Sequence, residues 1–502
     1  MAAFGRHDAS QQLGAQELGY LGLAFSTASE LSNCACVSSL WAEAAHVNVI
    51  WSFLLENDFG IKKSITIDGV HAKTTYIAYK SWHLWHLNLG LCISTCDGQK
   101  NQFNKKLSAL QYSKLHESWY KINLFYQEKL PRISDTFRPG LNISEWDYFQ
   151  NGIYEHLKLS IDHQSDDTLY GLQALRILLS IHDGQSRCGP FDGMFGGYSA
   201  YNHLVCLKLL DSQSMLTIYK QIDSNFLPIF LFPIAISKIG GNQKIIFINL
   251  KTGELRGFSN HFYNVFHKFE NGEEDKFSSS SNQLIEWFEC FSNRLTQQVY
   301  GINQIIPNRD QSIGLSLFPL NNMINDEACV SSSKSTYGFL TRAVTFGIEA
   351  IASVIYLPEL SQWTYCLSLR LLPPSHEDYM CVEERGFKTC QLRSRHWDIE
   401  DHHGKHQHVN GEGVIGQYPM LSEEGYRVDE QTREPGILDK GDWVTDGTSF
   451  QYASCSGQCE PGGSFGGDLT FVSGCLDEPS GSRGSFEVKV QRFSLDIPRI
   501  SF

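Results

Sequence analysis

No run of lysine or arginine appears in the 502 residues, and 55 acidic side chains outnumber 41 basic ones, for a formal charge of −14. A nucleic-acid or anionic-membrane partner calls for the opposite balance, so neither is expected. Long apolar runs are missing too. The longest, FLPIFLFPIAI at 226–236, is about half a membrane span and carries two prolines, which points to a buried strand or loop. No basic segment followed by an apolar one opens the chain, so an export signal is not expected. The fourteen cysteines lack regular spacing. Reduced thiols in the cytoplasm or the nucleus explain them better than disulfides, and without export the sequon Asn142-Ile143-Ser144 carries no weight.

Catalytic spacing is also lacking. GGSFG (462–466) has the pattern of a nucleophile elbow, but GDLTFVSG follows it where a helix is needed, so Ser464 reads as a turn residue. His396, His402, His403, His406 and His408 crowd around Gly404. A solvated hairpin tip accounts for them better than a metal, because no second ligand cluster stands at zinc-like spacing. Cys455, Cys459 and Cys475 are no better placed. With 18 histidines scattered along the chain, some triad could always be drawn, so none is assigned. No metal or cofactor is expected.

What is present divides the chain into three. Up to about residue 100, Leu31, Ala35, Val37, Leu40, Trp41 and Ala44 recur at helical spacing, with Trp51 closing a small bundle. A polar stretch at 94–106 reads as a linker. Leu115, Trp119, Ile122 and Tyr126 then mark an amphipathic helix that ends at Leu130-Pro131. Ser144-Glu145-Trp146-Asp147 reads as a capping box. Leu169, Leu172, Leu175 and Leu179 share a third helical face, broken at His182-Asp183-Gly184, and KIIFINLKTGELRGFSN (244–260) is a strand, a turn and a return strand. This middle region is α+β. Residues 268–284 read as an exposed loop, LIEWFECFSNRLTQQV as a helix, and 320–336 as a second linker. From about 340 the pattern alternates: Tyr365, Leu367, Leu369 and Leu371, then Phe486, Val488 and Val490, among seven segments separated by glycine and proline turns. That is an antiparallel β-sandwich.

Within it, GEGVIG (411–416) spells G-x-G-x-x-G, the fingerprint of a dinucleotide-binding turn. Such a turn needs a strand before it and a helix after it. QYPML follows instead, so an oxidoreductase is excluded. Gly411, Gly413 and Gly416 then either expose amides to a small anion or relieve strain where a strand bends; the second is the cheaper account.

AVTFGIEAIASVIYLPELS, CQLRSRHWDIED, VNGEGVIGQYPML and FQYASCSG resemble, in order and spacing, the ApaG domain, whose glycine turn precedes a proline, here Pro419. The resemblance implies a fibronectin-type sandwich over 338–502, with 426–448 as an extra loop. Ser118–Ile122, IHDGQ (181–185) and GMFGGYSAYNH (193–203) resemble the SUKH (Smi1/Knr4) domain, implying an α+β domain over 107–300. Cys34, Val37, Ser38 and Trp41 stand as in C-x-x-V-S-x-x-W, with Trp51 ten residues on, and resemble the second half of an F-box over 15–60; QQLGAQELGYLGLAF replaces its usual opening. The order is that of plant and animal F-box proteins carrying an ApaG domain, and FGGYSAYNH leans to the plant form.

These resemblances imply a non-catalytic substrate-recognition subunit of an SCF-type ubiquitin ligase. Leu31, Val37, Ser38, Trp41 and Trp51 are expected to meet a Skp-type adaptor and, through it, a cullin, with an unnamed target held elsewhere. The alternatives are a scaffold with a degenerate F-box, in which Trp41 and Trp51 only pack the bundle, and a sensor of a phosphorylated small molecule at the Gly411–Gly416 turn.

Overall fold

The segment NVIWSFLLENDF is apolar around its whole circumference, which suits a helix packed on more than one side. In the computed structural model it forms α1, Asn48–Phe59. Gly60 ends it with φ +72°, its N–H reaching the carbonyls of Leu55 and Glu56, a cap that favours glycine. The structure describes residues 47–67, 70–88, 98–157, 169–222, 228–239, 242–267, 282–320, 338–432, 437–456 and 461–502, with a few isolated positions between 31 and 45 and only the backbone over 98–108. Most of the expected 268–284 loop, residues 94–97 of the expected 94–106 linker and all but residue 320 of the expected 320–336 linker lie outside them.

Two compact units result. One comprises residues up to Glu117 with Gly140–Asn151 and Gln173–His182; the other comprises Ser118–Pro139, Gly152–Leu172 and Asp183–Phe502. In the first, α1 packs on α2, Thr75–Asn88. The α2 N-terminus is tied to α1 by the Thr75 amide donating to Asn48 Oδ1 at 3.1 Å. Trp82 of α2 meets Tyr112 of α3, Gly98–Lys129, edge to face at 5.9 Å. That helix begins inside the stretch expected to be a linker and stops, as expected, before Leu130-Pro131. The next helix, α4 (Ile143–Leu157), does open on a capping box, but one formed by Asn142 and Glu145, each side chain bonding the other's amide at 2.9 and 3.0 Å. Ser144–Asp147 matches the pattern two residues too late. A further helix, α5, covers Tyr170–Ile181.

The second unit holds both the α+β region and the sandwich. Helices α6 (Ser212–Gln221) and α7 (Gln283–Thr296) accompany strands Gly197–Ala200 (β1), His203–Cys206 (β2), Lys208–Leu209 (β3), Leu231–Ile239 (β4), Asn242–Asn249 (β5), Leu255–Phe258 (β6), Phe262–Asn264 (β7), Gly301–Gln304 (β8) and Ile313–Ser316 (β9). They form two sheets, β8-β9-β1-β2 and β3-β4-β5-β6-β7. The apolar run at 226–236 supplies β4, with its Pro233 at a bulge.

Among the described residues the sandwich has eleven strands, not seven: Leu340–Thr345 (β10), Ile348–Leu357 (β11), Gln362–Leu371 (β12), Cys390–Glu400 (β13), His406–Glu412 (β14), Gln417–Ser422 (β15), Gly425–Gln431 (β16), Leu438–Val444 (β17), Phe450–Cys455 (β18), Gly463–Ser473 (β19) and Ser485–Leu495 (β20). One sheet runs β10-β11-β12-β18. The other runs β17-β16-β15-β13-β19-β20, with β14 also on β13. The residues singled out for alternation, Tyr365 to Leu371 and Phe486 to Val490, face the shared core. Bulges change parity along two strands: Cys390 and Leu392 give way to Trp397 and Ile399, and Val490 gives way to Phe493. The stretch 426–448 is not simply a loop; it contains the antiparallel pair β16–β17 at the sheet edge. Its charges, Asp439, Lys440 and Asp442, are the sort that protect an exposed edge strand. Among the described residues no helix is long and apolar enough to cross a membrane.

Candidate functional site

The proposed adaptor contacts begin on the helical unit. Leu31 and Trp51 are both buried, at 2% and 3% exposure. Trp51 donates its indole N–H to the Ala45 carbonyl at 2.5 Å and packs on Tyr76 and Tyr79, with ring centroids 4.8 and 5.0 Å away. Tyr79 in turn donates to Asp58 at 2.7 Å, and burial, then the Asp58 charge, pushes its phenol well above the usual range. Both anchors thus pack the bundle. Val37, Ser38 and Trp41 lie outside the described residues. What the unit shows to solvent is different: Val49 and Phe53, four apart on α1, and Ile77 and Leu84, seven apart on α2, are each close to half exposed. Of the residues the helical pattern named, Leu31 and Trp51 are described, and both are buried. The exposed pair on α1 was readable only as an excess of apolar residues opposite Ile50, Trp51, Leu54 and Leu55.

The Gly411–Gly416 turn joins β14 to β15. Gly411 lies opposite Arg395, and a Cβ there would sit 2.8 Å from the guanidinium. That guanidinium donates to the carbonyls of Glu412 and Gly413 at 3.2 and 2.7 Å. Gly413 has φ +54° and presses against the Tyr418 ring, while Gly416 has φ +74° in open space. The amide of Gly413 donates to Arg393, and those of Val414 and Gln417 donate to each other's carbonyls. The turn therefore presents carbonyls to a fixed cation and spends these three amides within the backbone. This supports strain relief at a bend over an anion nest.

Beside it, β13, β14, β19 and β20 assemble a polar cluster. Asp398 accepts from Arg492, pairs with His406 at 2.8 Å and lies 3.6 Å from His408. Burial pushes the Asp398 carboxyl up, but His406 and Arg492 outweigh it and hold it below the usual range. Ser464, expected in a turn, is the second residue of β19 and is buried, bonded to Glu400 at 3.1 Å and to Arg492 at 2.9 Å. An arginine and one carboxylate hold its hydroxyl, and among the described residues no histidine is bonded to it. His402 and His403 sit in the 401–405 turn. Among the described residues no group of three histidine, cysteine or acidic side chains has metal-binding geometry.

A fully buried pair of opposite charges lies where the α+β region meets the sandwich. Glu359, in the turn between β11 and β12, accepts from Tyr198, from His203 Nε2 at 3.0 Å and from Lys244 Nζ at 3.2 Å. Lys244 also donates to Tyr198 at 3.0 Å and to the main-chain oxygen of Phe502 at 2.9 Å. Both side chains are about 1% exposed or less. Burial alone would raise the Glu359 carboxyl; Lys244, His203 and Tyr198 reverse that and hold it at about 2. A pair so enclosed and so fully hydrogen-bonded acts as a pin between two layers. Nothing in the spacing of Tyr198, Lys244 and Glu359 foretells it.

Comparison with known proteins covers both ends of the chain. Residues 363–427 match the model of the ApaG domain. F-box protein SKIP16 of Arabidopsis thaliana is 26% identical over 500 residues, covering 93% of this chain and 94% of that protein. Protein ApaG of Bradyrhizobium sp. (strain ORS 278) is 30% identical over 164 residues, covering 31% of this chain and 93% of its own length. Protein ApaG of Brucella anthropi is 32% identical over 168 residues, covering 31% and 93%.

Proposed function

The chain belongs to the ApaG family through its C-terminal sandwich, and we propose that it serves as the substrate-recognition subunit of an SCF-type ubiquitin ligase. The observation that carries this reading is the likeness to an F-box protein across 93% of the chain, which reaches far beyond the sandwich. Function then rests on proximity. The N-terminal helices grip a Skp-type adaptor, and through it a cullin, while the SUKH-like region and the sandwich hold a target. The target's local concentration beside the ubiquitin donor rises without chemistry in this chain. The Lys244–Glu359 pin supports this, because it keeps two binding modules in fixed register.

Binding to a purified Skp-type adaptor tests the reading, with saturation expected for the full chain and loss expected for Trp41→Ala. A second reading has an observation in its favour. Leu31 and Trp51 are committed to internal packing, as in a scaffold protein that has lost the ligase link. Absence of adaptor binding by the folded chain selects it. The small-molecule sensor has less support, since the amides of Gly413, Val414 and Gln417 are already used.

A further inference from the structure

The outer face of an antiparallel sheet is ordinarily wet, and its residues are polar for that reason. On the sheet β10-β11-β12-β18 the outward residues fall in rows: Glu349 beside Arg370, Ile351 beside Ser368 and Gln451, and Ser353 beside Cys366. The last row is not wet. Ser353 is 6% exposed and Cys366 8%. With the segments at 303–307 and 316–320 these rows line a cavity of about 280 Å³, at the small end of ligand sites. Its mouth lies toward Arg370 and Leu320, whose side chains are 38% and 48% exposed.

The lining divides in two. Ile305, Pro307 and Phe318 make one part apolar. In the other, Ser353 Oγ has no hydrogen-bond partner among the described residues, whereas a buried hydroxyl nearly always finds one. Ser316 accepts from the Phe318 amide at 3.3 Å, Ser449 from Ser368 Oγ at 2.7 Å, and Gln451 Oε1 from Asn303 at 3.3 Å. Each of these three takes a hydrogen bond and keeps O–H or N–H groups with no acceptor among the described residues. Charge is balanced: Glu349 accepts from Arg342 and Arg370, and Arg342 also donates to Asp378 at 2.7 Å, two cations against two carboxylates. Burial pushes the Cys366 thiol up to about 12, so it stays neutral.

Such a cavity fits a neutral molecule with hydroxyls on its edge and C–H groups on its face. Rotatable serine hydroxyls suit partners that both give and take hydrogen bonds. A flat base would call for rings to stack on, and Phe318 is the one aromatic residue among the described residues that line the site. We propose that this cavity binds a single neutral sugar ring of hexose size. Its hydroxyls meet Ser316, Ser353 and Gln451, and its C–H face lies on Ile305 and Phe318. The site is independent of the adaptor contact, so either can fail while the other stands.

Calorimetric titration of the full-length chain with the methyl glycosides of glucose, galactose and mannose tests this. At least one should saturate, with a Kd near about 1 mM, the range of a small polar ligand. Tetrahydropyran-2-methanol, a similar ring with one hydroxyl, should bind at least about tenfold more weakly. The matching uronide, which adds a carboxylate, should bind no better than its neutral parent. Ser353→Ala removes an oxygen that no described protein group uses; it should keep the melting profile and weaken the sugar about fivefold. Ser353→Leu, which fills the cavity, should abolish binding; should it fail to fold, Ser353→Ala decides alone. The free hexoses separate two sources of the ring. A preferred glycoside marks the end of a glycan, a preferred free sugar marks a metabolite, and both support the site. No binding by any glycoside or free hexose at roughly 20 mM, a cavity holding water only, would overturn the proposal. Equal binding of the one-hydroxyl ring, tighter binding of the uronide, or binding indifferent to the Ser353 variants would overturn it too.

Discussion

The sandwich and the helical unit solve the same problem, burying apolar surface, in opposite ways. In the sandwich most strands alternate core-facing and outward residues, with bulges shifting the parity on two of them, so inside and outside are largely separated along the sequence itself. In α1 apolar residues occupy all sides. Trp51 and Leu54 go inside, while Val49 and Phe53 stay out. The sandwich has little apolar surface left to offer, whereas the helical unit has an exposed apolar stripe. Apolar side chains kept in water are the kind of surface that suits a partner.

Breaking the sandwich side of this comparison should give the largest effect. Glu359→Gln or Lys244→Met leaves its partner charge buried and uncompensated, and should cost about 3–5 kcal/mol in denaturant unfolding. The double replacement by apolar residues should recover much of that loss. Trp51→Ala should cost a similar or slightly smaller amount, about 3–5 kcal/mol, confined to the helical unit. A negligible loss there would mean that the indole is not the packing anchor its contacts indicate.

His267 gives a pH test. Burial lowers its pKa from 6.5 to about 4, and its Nε2 lies 2.9 Å from Ser501 Oγ. The unfolded chain therefore takes up the proton first, so stability should be fully present above pH 6.5 and fall as pH drops toward 4, by at most about 3 kcal/mol. His267→Gln should flatten that acid limb. Gly411→Ala and Gly413→Ala come next, at about 1–3 kcal/mol each, through the Arg395 guanidinium for the first and through positive φ and the Tyr418 ring for the second. The smallest effect belongs to the helices: Phe53→Glu should shift stability by less than about 0.5 kcal/mol. It sharpens the comparison if it nonetheless weakens partner binding.

Much of the sandwich was legible because alternation is a local signal that burial enforces residue by residue. It failed where bulges inserted a residue, near Arg393 and Gln491, and where charge disguised a strand, as in Leu438–Val444. The helices of the α+β region were legible from period, and their ends from Pro131 and from a cap whose true members are Asn142 and Glu145. The candidate sites were far less so. Lys244 and Glu359 are 115 residues apart, and the cavity takes side chains from segments near 305, 318, 351, 368 and 451. No periodicity links such residues; only the folded chain brings them together.

Whether the N-terminal helices hold an adaptor separates a ligase receptor from a scaffold. Calorimetric titration of a purified Skp-type adaptor into the full-length chain measures this directly. A saturating isotherm in the micromolar range or tighter, lost in Trp41→Ala with the melting profile kept, is the predicted result. A flat titration at roughly 100 μM adaptor, a range in which a real interface gives measurable heat, with the chain shown to be folded, would contradict it.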